Sequence, residues 1–391
     1  MPQLVRISLT AAAVVVLAAG SALAQEQEDS QSERNAYVVT PLVSNLTGAA
    51  AMRDPVLQNS WGIAFSPAGS PYWVNDNATG CSTLYAGDGT KLGLQVSIPL
   101  PGGAVAPNSC QPFDFNNPPA TTPAAPTGIV WNPSGAFLVP GTKTAAAFIF
   151  ATEDGTLSAW AGGLTPATSA VLAVDNSANP TAAAGAVYKS LVSGLSARGL
   201  LLYAANFRHG TVDVFGPTGA NGLLTTVTTD GRFVDPNIPA GYAPFGIANI
   251  DGDLFVTYAK QNALKHDDVA GPGTGFVDVF DTDGRLLRRF ASRGPLNSPW
   301  AVTRASFAFG RFSGRILVGN FGDGHINAFD DHGQFAGELE DVQGNPVVID
   351  GLWTLTLGGG RGSSSDALYF AAGPNGETNG LFGTIAPASG R

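Results

Sequence analysis

The stretch LYAANFRHGTVDVF, residues 202–215, has close copies elsewhere in the chain. ILVGNFGDGHINAF (316–329) repeats its order: an apolar run, a polar turn that ends in glycine, and an alternating run that ends in phenylalanine. LFVTYAK…GFVDVF (254–280) has the same ends and a longer centre. Weaker copies occupy residues 72–85, 147–160 and 368–382. Each of the six copies predicts two β-strands joined by a hairpin turn.

A short apolar segment precedes most copies, and another follows them. The preceding segments are NSWGIAFSP, PTGIVWNP, APFGIANI, NSPWAVTRA and DGLWTLTLG, with LVSGLSARG as the candidate for the third unit. A following segment such as LLRRFAS supplies a fourth strand. Four short strands per unit, recurring at roughly 50–60 residues, indicate a β-propeller. We therefore predict an all-β, six-bladed β-propeller over residues 36–391 as a single domain; a sandwich or a β-helix would have another period.

The segment AYVVTPLVSN, residues 36–45, stands before the first unit and has the pattern of a strand. We predict that it pairs with the last blade and closes the ring, because closure protects strand edges that would otherwise be exposed. Glycines at the predicted hairpin turns are expected to adopt positive φ. These glycines are Gly155, Gly210, Gly275 and Gly324.

The composition narrows the class of protein. Fifty glycines, 27 prolines and only 13% charged residues among 391 fit a folded chain of many short strands. The formal net charge of −10 repels phosphate backbones, so we expect no nucleic acid partner. The expected partner is an unknown small molecule or an extracytoplasmic protein, and we expect a monomer.

The first 24 residues have the features of an export signal. Arg6 precedes an apolar stretch over residues 7–20, and Ala22-Leu23-Ala24 gives a small-x-small cleavage site before Gln25. Residues 25–35 form a polar linker. We predict cleavage after Ala24, export to the periplasm or medium, and no membrane span in the mature chain, where no segment is long and apolar enough.

The chain has two cysteines, Cys81 and Cys110. In an exported protein two cysteines pair more often than not. A zinc site is disfavoured because the pair lacks CxxC spacing and neighbouring histidines. We predict a disulfide.

Several motifs carry a resemblance to known propellers. WGIAFSPAGSPYWVNDN and GNFGDGHINAFD resemble NHL-type six-bladed propellers. HDDVAGPGTGFVDVFD, GPLNSPW and AAGPNGETNGLFG resemble a family of uncharacterised exported bacterial proteins, some of which carry a PEP-CTERM sorting tail. The resemblance covers nearly the whole mature chain and implies a fold but no activity. The chain ends in GTIAPASGR, without that tail, which favours release over anchoring.

The copy at residues 254–280 is longer than those at 202–215 and 316–329 by 13 residues, which include NALKHDDVAGPG. If the strands of a blade are named A to D from the axis outward, this insertion lies between B and C. Strands alternate in direction, so the B–C turns and the loops entering strand A share one face. Function usually resides on such loops. The polar and aromatic candidates on this face are Asn59, Ser60, Trp61, Asp76, Asn77, Glu153, Asp154, Asn206, Arg208, Lys260, Lys265, His266, Asp267, Asp268, Asn297, Ser298, Trp300, Asn320, Asp323, Asp350, Asn375 and Glu377.

Three interpretations of this face remain open. The chain has no G-x-S-x-G, zinc-helix or CxxC motif, which favours binding of a ligand or partner. The alternative is a metal-dependent, lactonase-like hydrolase or lyase, with His266 and Asp267 as candidate catalytic residues and Ca²⁺ or another divalent cation held near the axis by oxygen donors. A purely structural role is the third, since Asn, Asp and Gly are ordinary turn residues and buried tryptophans are ordinary core.

Overall fold

The computed structural model describes residues 34–388, and the predicted signal peptide lies outside them. Within this range the strands form six separate sheets. With strand A first, blade 1 consists of β3 (Ser60–Ala64), β4 (Tyr72–Asp76), β5 (Cys81–Tyr85) and β6 (Lys91–Ser97). Blade 2 consists of β7 (Pro126–Trp131), β8 (Phe148–Thr152), β9 (Thr156–Trp160) and β10 (Val171–Asp175). Blade 3 consists of β11 (Tyr188–Ser196), β12 (Gly199–Asn206), β13 (Thr211–Thr218) and β14 (Leu224–Val227).

The remaining three blades follow the same antiparallel order. Blade 4 consists of β15 (Tyr242–Ile250), β16 (Asp253–Lys260), β17 (Gly275–Phe280) and β18 (Leu286–Ser292). Blade 5 consists of β19 (Pro299–Arg304), β20 (Ile316–Asn320), β21 (Ile326–Phe329) and β22 (Phe335–Glu338). Blade 6 consists of β23 (Leu352–Leu357), β24 (Leu368–Ala372) and β25 (Leu381–Pro387). Short 3-10 helices span Asn77–Thr79, Ala182–Ala184 and Gly310–Phe312.

The innermost strands β3, β7, β11, β15, β19 and β23 contact one another in a closed ring, which confirms the six-bladed propeller. The chain segment before blade 1 closes it. Strand β1 (Tyr37–Ser44) pairs antiparallel with β25, so that Val39 lies opposite Ile385, and β2 (Met52–Arg53) extends the edge. The predicted closing strand is therefore confirmed.

The blades are held together by apolar side chains between them. The second and third strands are buried along their whole length in blade 2, because each of their faces meets another blade. Trp73 of blade 1 stacks on Phe148 of blade 2 with ring centroids 4.3 Å apart. Burial of one large apolar side chain contributes about 1.5–3 kcal/mol. The repeated phenylalanines and valines of the sequence thus stabilise the ring by packing between adjacent blades.

Glycines serve two different purposes here. Gly155, Gly210 and Gly324 have φ of 80°, 70° and 73°, as predicted for turns. The expectation for Gly275 was wrong, since its φ is not positive and it begins strand β17. A Cβ there would lie 2.5 Å from Cδ of Pro299, so close packing requires this glycine.

The predicted disulfide is present between Cys81 and Cys110, whose Cα atoms are 4.9 Å apart. It fastens the long loop that enters blade 2. The Cys110 N–H donates to the Thr79 carbonyl (2.9 Å), and the Phe113 N–H donates to Oε1 of Gln58 (2.6 Å). The loop therefore lies against the entry to blade 1. Among residues 34–388, no helix has the length and apolar character needed to cross a bilayer.

Candidate functional site at the axial mouth

Every A strand has an irregular register with strand B near its start. Such a bulge redirects the side chain of the residue it contains. We call these six equivalent positions the strand ring. Its members, from blade 1 to blade 6, are Trp61, Thr127, Lys189, Phe245, Trp300 and Trp353. Lys189 is the single charged residue of the ring.

The first residue after each B strand also occupies an equivalent position. Its backbone N–H donates to a carbonyl in the loop that enters strand A of the same blade, at 2.8–3.0 Å. We call these positions the turn ring. Its members are Asn77, Glu153, Phe207, Gln261, Phe321 and Gly373. The six blades thus deliver two layers of side chains to the axis on the face predicted from the loops.

Aromatic side chains of the strand ring pack against one another across the axis. Trp61 stacks on Trp353 with ring centroids 3.4 Å apart, and Trp300 meets both edge-on. Phe321 of the turn ring stacks on the other side of Trp353 at 3.9 Å. Because these tryptophans are at most 7% exposed, they form a core layer and not an open ligand platform.

Lys189 lies on this aromatic layer and is surrounded by carboxylates. Its side chain is 3% exposed, and Nζ donates to Oε1 of Glu153 and to Oδ1 of Asp267, the latter at 3.2 Å. Nζ also lies 5.3 Å from the centre of the Trp61 ring and 5.9 Å from that of Phe207. The contacts join blades 1, 2, 3 and 4 around one ammonium group.

A chain of amides extends the cluster to blades 1 and 6. Nδ2 of Asn77 donates to Oε2 of Glu153 (2.9 Å), and Nδ2 of Asn59 donates to Oδ1 of Asn77 (3.2 Å). Asn59 also donates to Oε2 of Glu377 (2.8 Å) and accepts from Nε1 of Trp353 (3.2 Å). We call Asn59, Asn77, Glu153, Lys189, His266, Asp267 and Glu377 the axial cluster.

The insertion of blade 4 carries the exposed part of the axial cluster. Nδ1–H of His266 donates to Oδ1 of Asp267 (2.7 Å), and the His266 backbone N–H donates to Oδ1 of Asn262 (3.1 Å). The Asn262 N–H in turn donates to the Asp267 carbonyl (2.8 Å). The loop is therefore internally braced. His266 and Asp267 have side chains 36% and 59% exposed, so they are the part of the axial cluster that an incoming molecule meets.

The environment shifts the pKa of three groups of the axial cluster. Burial acts to lower the pKa of Lys189, but attraction to Glu153 and then to Asp267 outweighs it and the pKa rises. The hydrogen bond from His266, with the charge of Lys189, holds the pKa of Asp267 well below its usual range. Burial raises the pKa of Glu377 to about 7, reinforced by the charge of Glu153 and opposed by the hydrogen bond from Asn59. Lys189 is thus a fixed cation, and Glu377 titrates near neutrality.

The structure brings Asn59, Trp61, Glu153 and Asp267 together with His266, as the shared face predicts. Trp300 lies beneath them, where its Nε1 donates to the Lys189 carbonyl (3.1 Å). Lys260 is exposed at the end of β16. Asp268, in the insertion, is half-buried, and this burial raises its pKa.

Other candidates at the same face bond to groups of their own blade or of the neighbouring blade. Asn206 donates to Oδ2 of Asp213 (2.8 Å), and Arg208 donates to the Gly185 carbonyl (3.0 Å). Oδ1 of Asn297 accepts from the Gly271 N–H (2.7 Å). Asn320 donates to Oδ1 of Asp323 (3.0 Å) and thereby closes its turn.

Two further candidates, Asp350 and Asn375, contact each other in blade 6. The Asn375 N–H donates to Oδ2 of Asp350 (2.7 Å), and Asn375 has a positive φ of 57°. This is the bonding expected of turn residues.

Asp76 lies apart from the axial cluster. It ends strand β4, is fully buried inside blade 1, and accepts a hydrogen bond from Oγ1 of Thr83 (2.8 Å). Burial raises the pKa of Asp76 well above its ordinary value, with the nearby charge of Asp54 as the next cause. Its place in the B strand, one residue before the turn, turns its carboxyl into the blade.

Lys189 was absent from the sequence candidates because the third A strand was expected to begin near residue 191, whereas β11 begins at Tyr188. The signal was available in the sequence. When VYKSLV is aligned with SPWAVT and GLWTLT, Lys189 falls in the tryptophan column. A lysine at a position that is aromatic in most blades indicates that this side chain has a role other than core packing.

The axial cluster also contains the donors expected for a divalent cation. Glu153, His266 and Asp267 each offer one ligand atom, and these atoms lie within 4.8 Å of one another. However, Nζ of Lys189 bonds to two of the three groups. A divalent ion there would face an ammonium group in a partly desolvated setting, so the donor set does not fit such an ion while Lys189 is charged.

A cavity of about 240 Å³ lies along the axis on the other side of the tryptophans. Its walls are the A-strand residues that follow the strand ring, such as Ile63, Leu191 and Val302. Trp300 belongs to its lining and separates it from Lys189. The cavity therefore extends toward the face opposite the axial cluster.

No family model matches the chain. Among solved structures, a luciferin-regenerating enzyme shows 13% identity and a TM-score of 0.48, covering 90% of this chain and 95% of that one. Virginiamycin B lyase from Staphylococcus aureus shows 12% identity and a TM-score of 0.46 (90% and 99%). A gluconolactonase from Xanthomonas campestris shows 13% and 0.44 (85% and 88%). Identities this low transfer no activity to this chain.

Closer sequence relatives come from Acanthamoeba polyphaga mimivirus. The uncharacterized protein R648 is 34% identical over 352 residues, covering 89% of this chain and 80% of the relative. The uncharacterized protein L690 is 32% identical over 352 residues, covering 89% and 85%. These relatives are viral, so the expected kinship with exported bacterial proteins that carry PEP-CTERM tails finds no support. The chain belongs to the family that includes the uncharacterized mimivirus proteins R648 and L690.

Proposed function

We propose that this propeller binds a small ligand rich in hydrogen-bond donors, an amine or a polyol, at the axial cluster. The observation that carries the proposal is the convergence of side chains from blades 1, 2, 3, 4 and 6 in one hydrogen-bonded network around Lys189. Such convergence of buried polar groups with shifted pKa values is typical of ligand sites.

The charge of the axial cluster supports a ligand of this class. Glu153, Asp267 and Glu377 provide three carboxyl groups, and Lys189 neutralises one negative charge. Oδ1 of Asp267 is shared by His266 and Lys189, while more than half of its side chain remains exposed to an incoming donor. A ligand that offers N–H or O–H groups would bond to these oxygens, whereas a phosphate would be repelled.

A panel of monosaccharides, polyols and alkylamines, screened by ligand-observed NMR and then by calorimetry, tests the proposal. A genuine binder should lose at least about tenfold in affinity in Glu153→Gln and Asp267→Asn, which corresponds to about 1.4 kcal/mol. Asp366→Asn is the matched control, because Asp366 is an exposed carboxylate on the A–B connection of blade 6. Absence of a binder in both classes, or equal affinity in all variants, would contradict the proposal.

A metal-dependent, lactonase-like hydrolase is the second candidate, favoured by the proximity of Glu153, His266 and Asp267. The ion pairs of Lys189 weigh against it. Hydrolysis of a lactone panel that requires an added divalent ion and is lost in Glu153→Gln would replace the binding function with this one.

We also propose that the chain is exported, as the N-terminal sequence predicts. The Cys81–Cys110 disulfide supports this, because such bonds persist in oxidising compartments. The N-terminus of the protein recovered from the medium or periplasm tests the proposal; it should be Gln25. A protein that keeps Met1 and stays with the cells would contradict it.

A further inference from the structure

We infer that the ammonium group of Lys189 is the built-in cation of the axial cluster and holds the place that a divalent ion would otherwise take between Glu153 and Asp267. This inference goes beyond ligand binding, because it concerns the cluster itself and stands whether or not a small molecule binds there.

The first support is that the ammonium and a metal ion would use the same two carboxylate groups. The three possible ligand atoms of Glu153, His266 and Asp267 lie within 4.8 Å of one another. Oδ1 of Asp267 is also an acceptor for Nζ of Lys189, and Glu153 accepts a bond from the same nitrogen. A single cation can satisfy these oxygens, and the lysine supplies it within the chain.

The second support is that Lys189 is fixed in position. It occupies a bulge in the A strand of blade 3, at the position that holds tryptophan in blades 1, 5 and 6. Its carbonyl accepts a hydrogen bond from Nε1 of Trp300, and its ammonium faces the rings of Trp61 and Phe207. A cation over aromatic faces is attracted by their electron density. With a side chain only 3% exposed, Lys189 is enclosed by these partners and not by solvent.

The third support is the balance of charge. Glu153, Asp267 and Glu377 surround the site, and two of them already bond to Lys189. Addition of a divalent ion would place it next to a fixed ammonium, and like charges repel strongly where water is scarce. Removal of the ammonium reverses the situation and leaves partly buried carboxylates without a counter-charge. The structure therefore contains a divalent-cation site that only the loss of Lys189 would uncover.

The test is a titration of the purified protein and its variants with CaCl2, MgCl2, MnCl2 and ZnCl2, followed by calorimetry and thermal melting. Lys189→Ala removes the ammonium and leaves space. Lys189→Arg keeps the positive charge and serves as the matched control. We expect the wild-type protein and Lys189→Arg to bind none of these ions at the axial cluster at about 1 mM, the range of weak calcium sites.

Lys189→Ala should gain a saturable site that raises Tm by roughly 3 °C or more once the ion exceeds its Kd about a hundredfold. Glu153→Gln introduced into Lys189→Ala should abolish the gain. An ion bound by the wild-type protein and lost in Glu153→Gln would overturn the inference, as would a folded Lys189→Ala that binds none of the four ions.

Lys189→Ala could fail to fold in the absence of an ion. Recovery of the folded variant on refolding with one of the four ions would then count as the expected gain. If the variant folds with none of the four ions, the inference is tested by ion binding to the wild-type protein and to Lys189→Arg. An ion bound there and lost in Glu153→Gln overturns the inference, and no such binding supports it. The ligand panel is scored separately, so the two proposals fail independently.

Discussion

Two regions of the molecule enclose a cation between two carboxylates, and they differ in how the chain assembles them. Lys189 bonds to Glu153 of blade 2 and Asp267 of blade 4 from its own place in blade 3. Arg289 of β18 bonds to Asp278 on the adjacent strand β17 and to Asp235, in the connection leading into the same blade. One cluster is assembled by ring closure, and the other belongs to blade 4 alone.

The two clusters also differ in which partner is exposed to water, the cation or a carboxylate. Asp235 and Asp278 are 2% and 0% exposed while Arg289 is 25% exposed, so water reaches the cation. At the axis the cation is sealed at 3% while Asp267 is 59% exposed, so water reaches a carboxylate. A structural clamp needs no accessible partner, whereas a binding site does. This contrast is our reason for assigning function to the axial cluster and stability to the Arg289 cluster.

The largest expected effect is that of Lys189→Met. Removal of one partner from a buried ion pair leaves uncompensated charge and typically costs about 3–5 kcal/mol of unfolding free energy. Urea unfolding measures it, with the exposed Lys143→Met as a control that should change stability by less than about 0.5 kcal/mol. Equal stability of the two variants would contradict a stabilising role for the ion pairs of Lys189.

Arg289→Met should cost about 3 kcal/mol, the lower end of that range, because it leaves the buried Asp235 and Asp278 without their counter-charge at a site where water reaches the cation. It should leave ligand affinity at the axis unchanged, as measured by the same calorimetry. A loss of affinity equal to that in Glu153→Gln would show that the two clusters are coupled and that their separation here is wrong.

The two clusters should also differ in pH dependence. Glu377 has an ordinary pKa of 4.5 and a folded pKa of about 7, so the folded state holds one more proton between these values. Stability therefore falls as pH rises from about 4.5 to 7, by at most about 1.4 kcal/mol per unit. Glu377→Gln should remove this slope and keep the bond from Asn59.

In the Arg289 cluster, Asp278 should make stability depend on pH over a lower pH range. Burial raises its pKa from 3.8 to about 6, against the hydrogen bond from Arg289, so its contribution is lost as pH rises from about 4 to 6. Asp278→Asn should remove this contribution to the pH dependence of stability and leave the contribution of Glu377. Urea midpoints recorded from pH 4 to 8 would distinguish the variants, and coincident profiles for both would contradict the assignment of Glu377.

The smallest expected effect on stability is that of Asp267→Asn. This carboxylate is more than half exposed, and exposed ion pairs contribute at most about 1 kcal/mol. The same change should have a large effect on ligand affinity. A stability loss as large as that of Lys189→Met would instead make Asp267 a structural partner.

The fold could be predicted from the sequence because each blade repeats a local pattern. The B and C strands, the closing strand and the blade 4 insertion all follow from alternation, turns and spacing. Gly275 was misjudged since packing against Pro299, and not the turn, requires it.

The axial cluster was harder to predict, because its contacts join distant blades. Glu153 and Asp267 were assigned to the correct face, but their shared partner Lys189 depends on a bulge and on ring closure. Asp76 shows the converse, since one residue of register turns its carboxyl into blade 1. Local patterns predict which face a loop occupies, but not which side chains meet across the axis.

The protonation state of Lys189 tests the central claim most directly. The chain has only five lysines, Lys91, Lys143, Lys189, Lys260 and Lys265, so ¹⁵Nζ-lysine NMR with Lys189→Arg as the assignment control can follow each one. The account predicts that Lys189 remains an ammonium group, protected from exchange, as pH rises past the ordinary lysine pKa of about 10.4. A Lys189 that is neutral near pH 7, or that exchanges as fast as the exposed lysines, would contradict it.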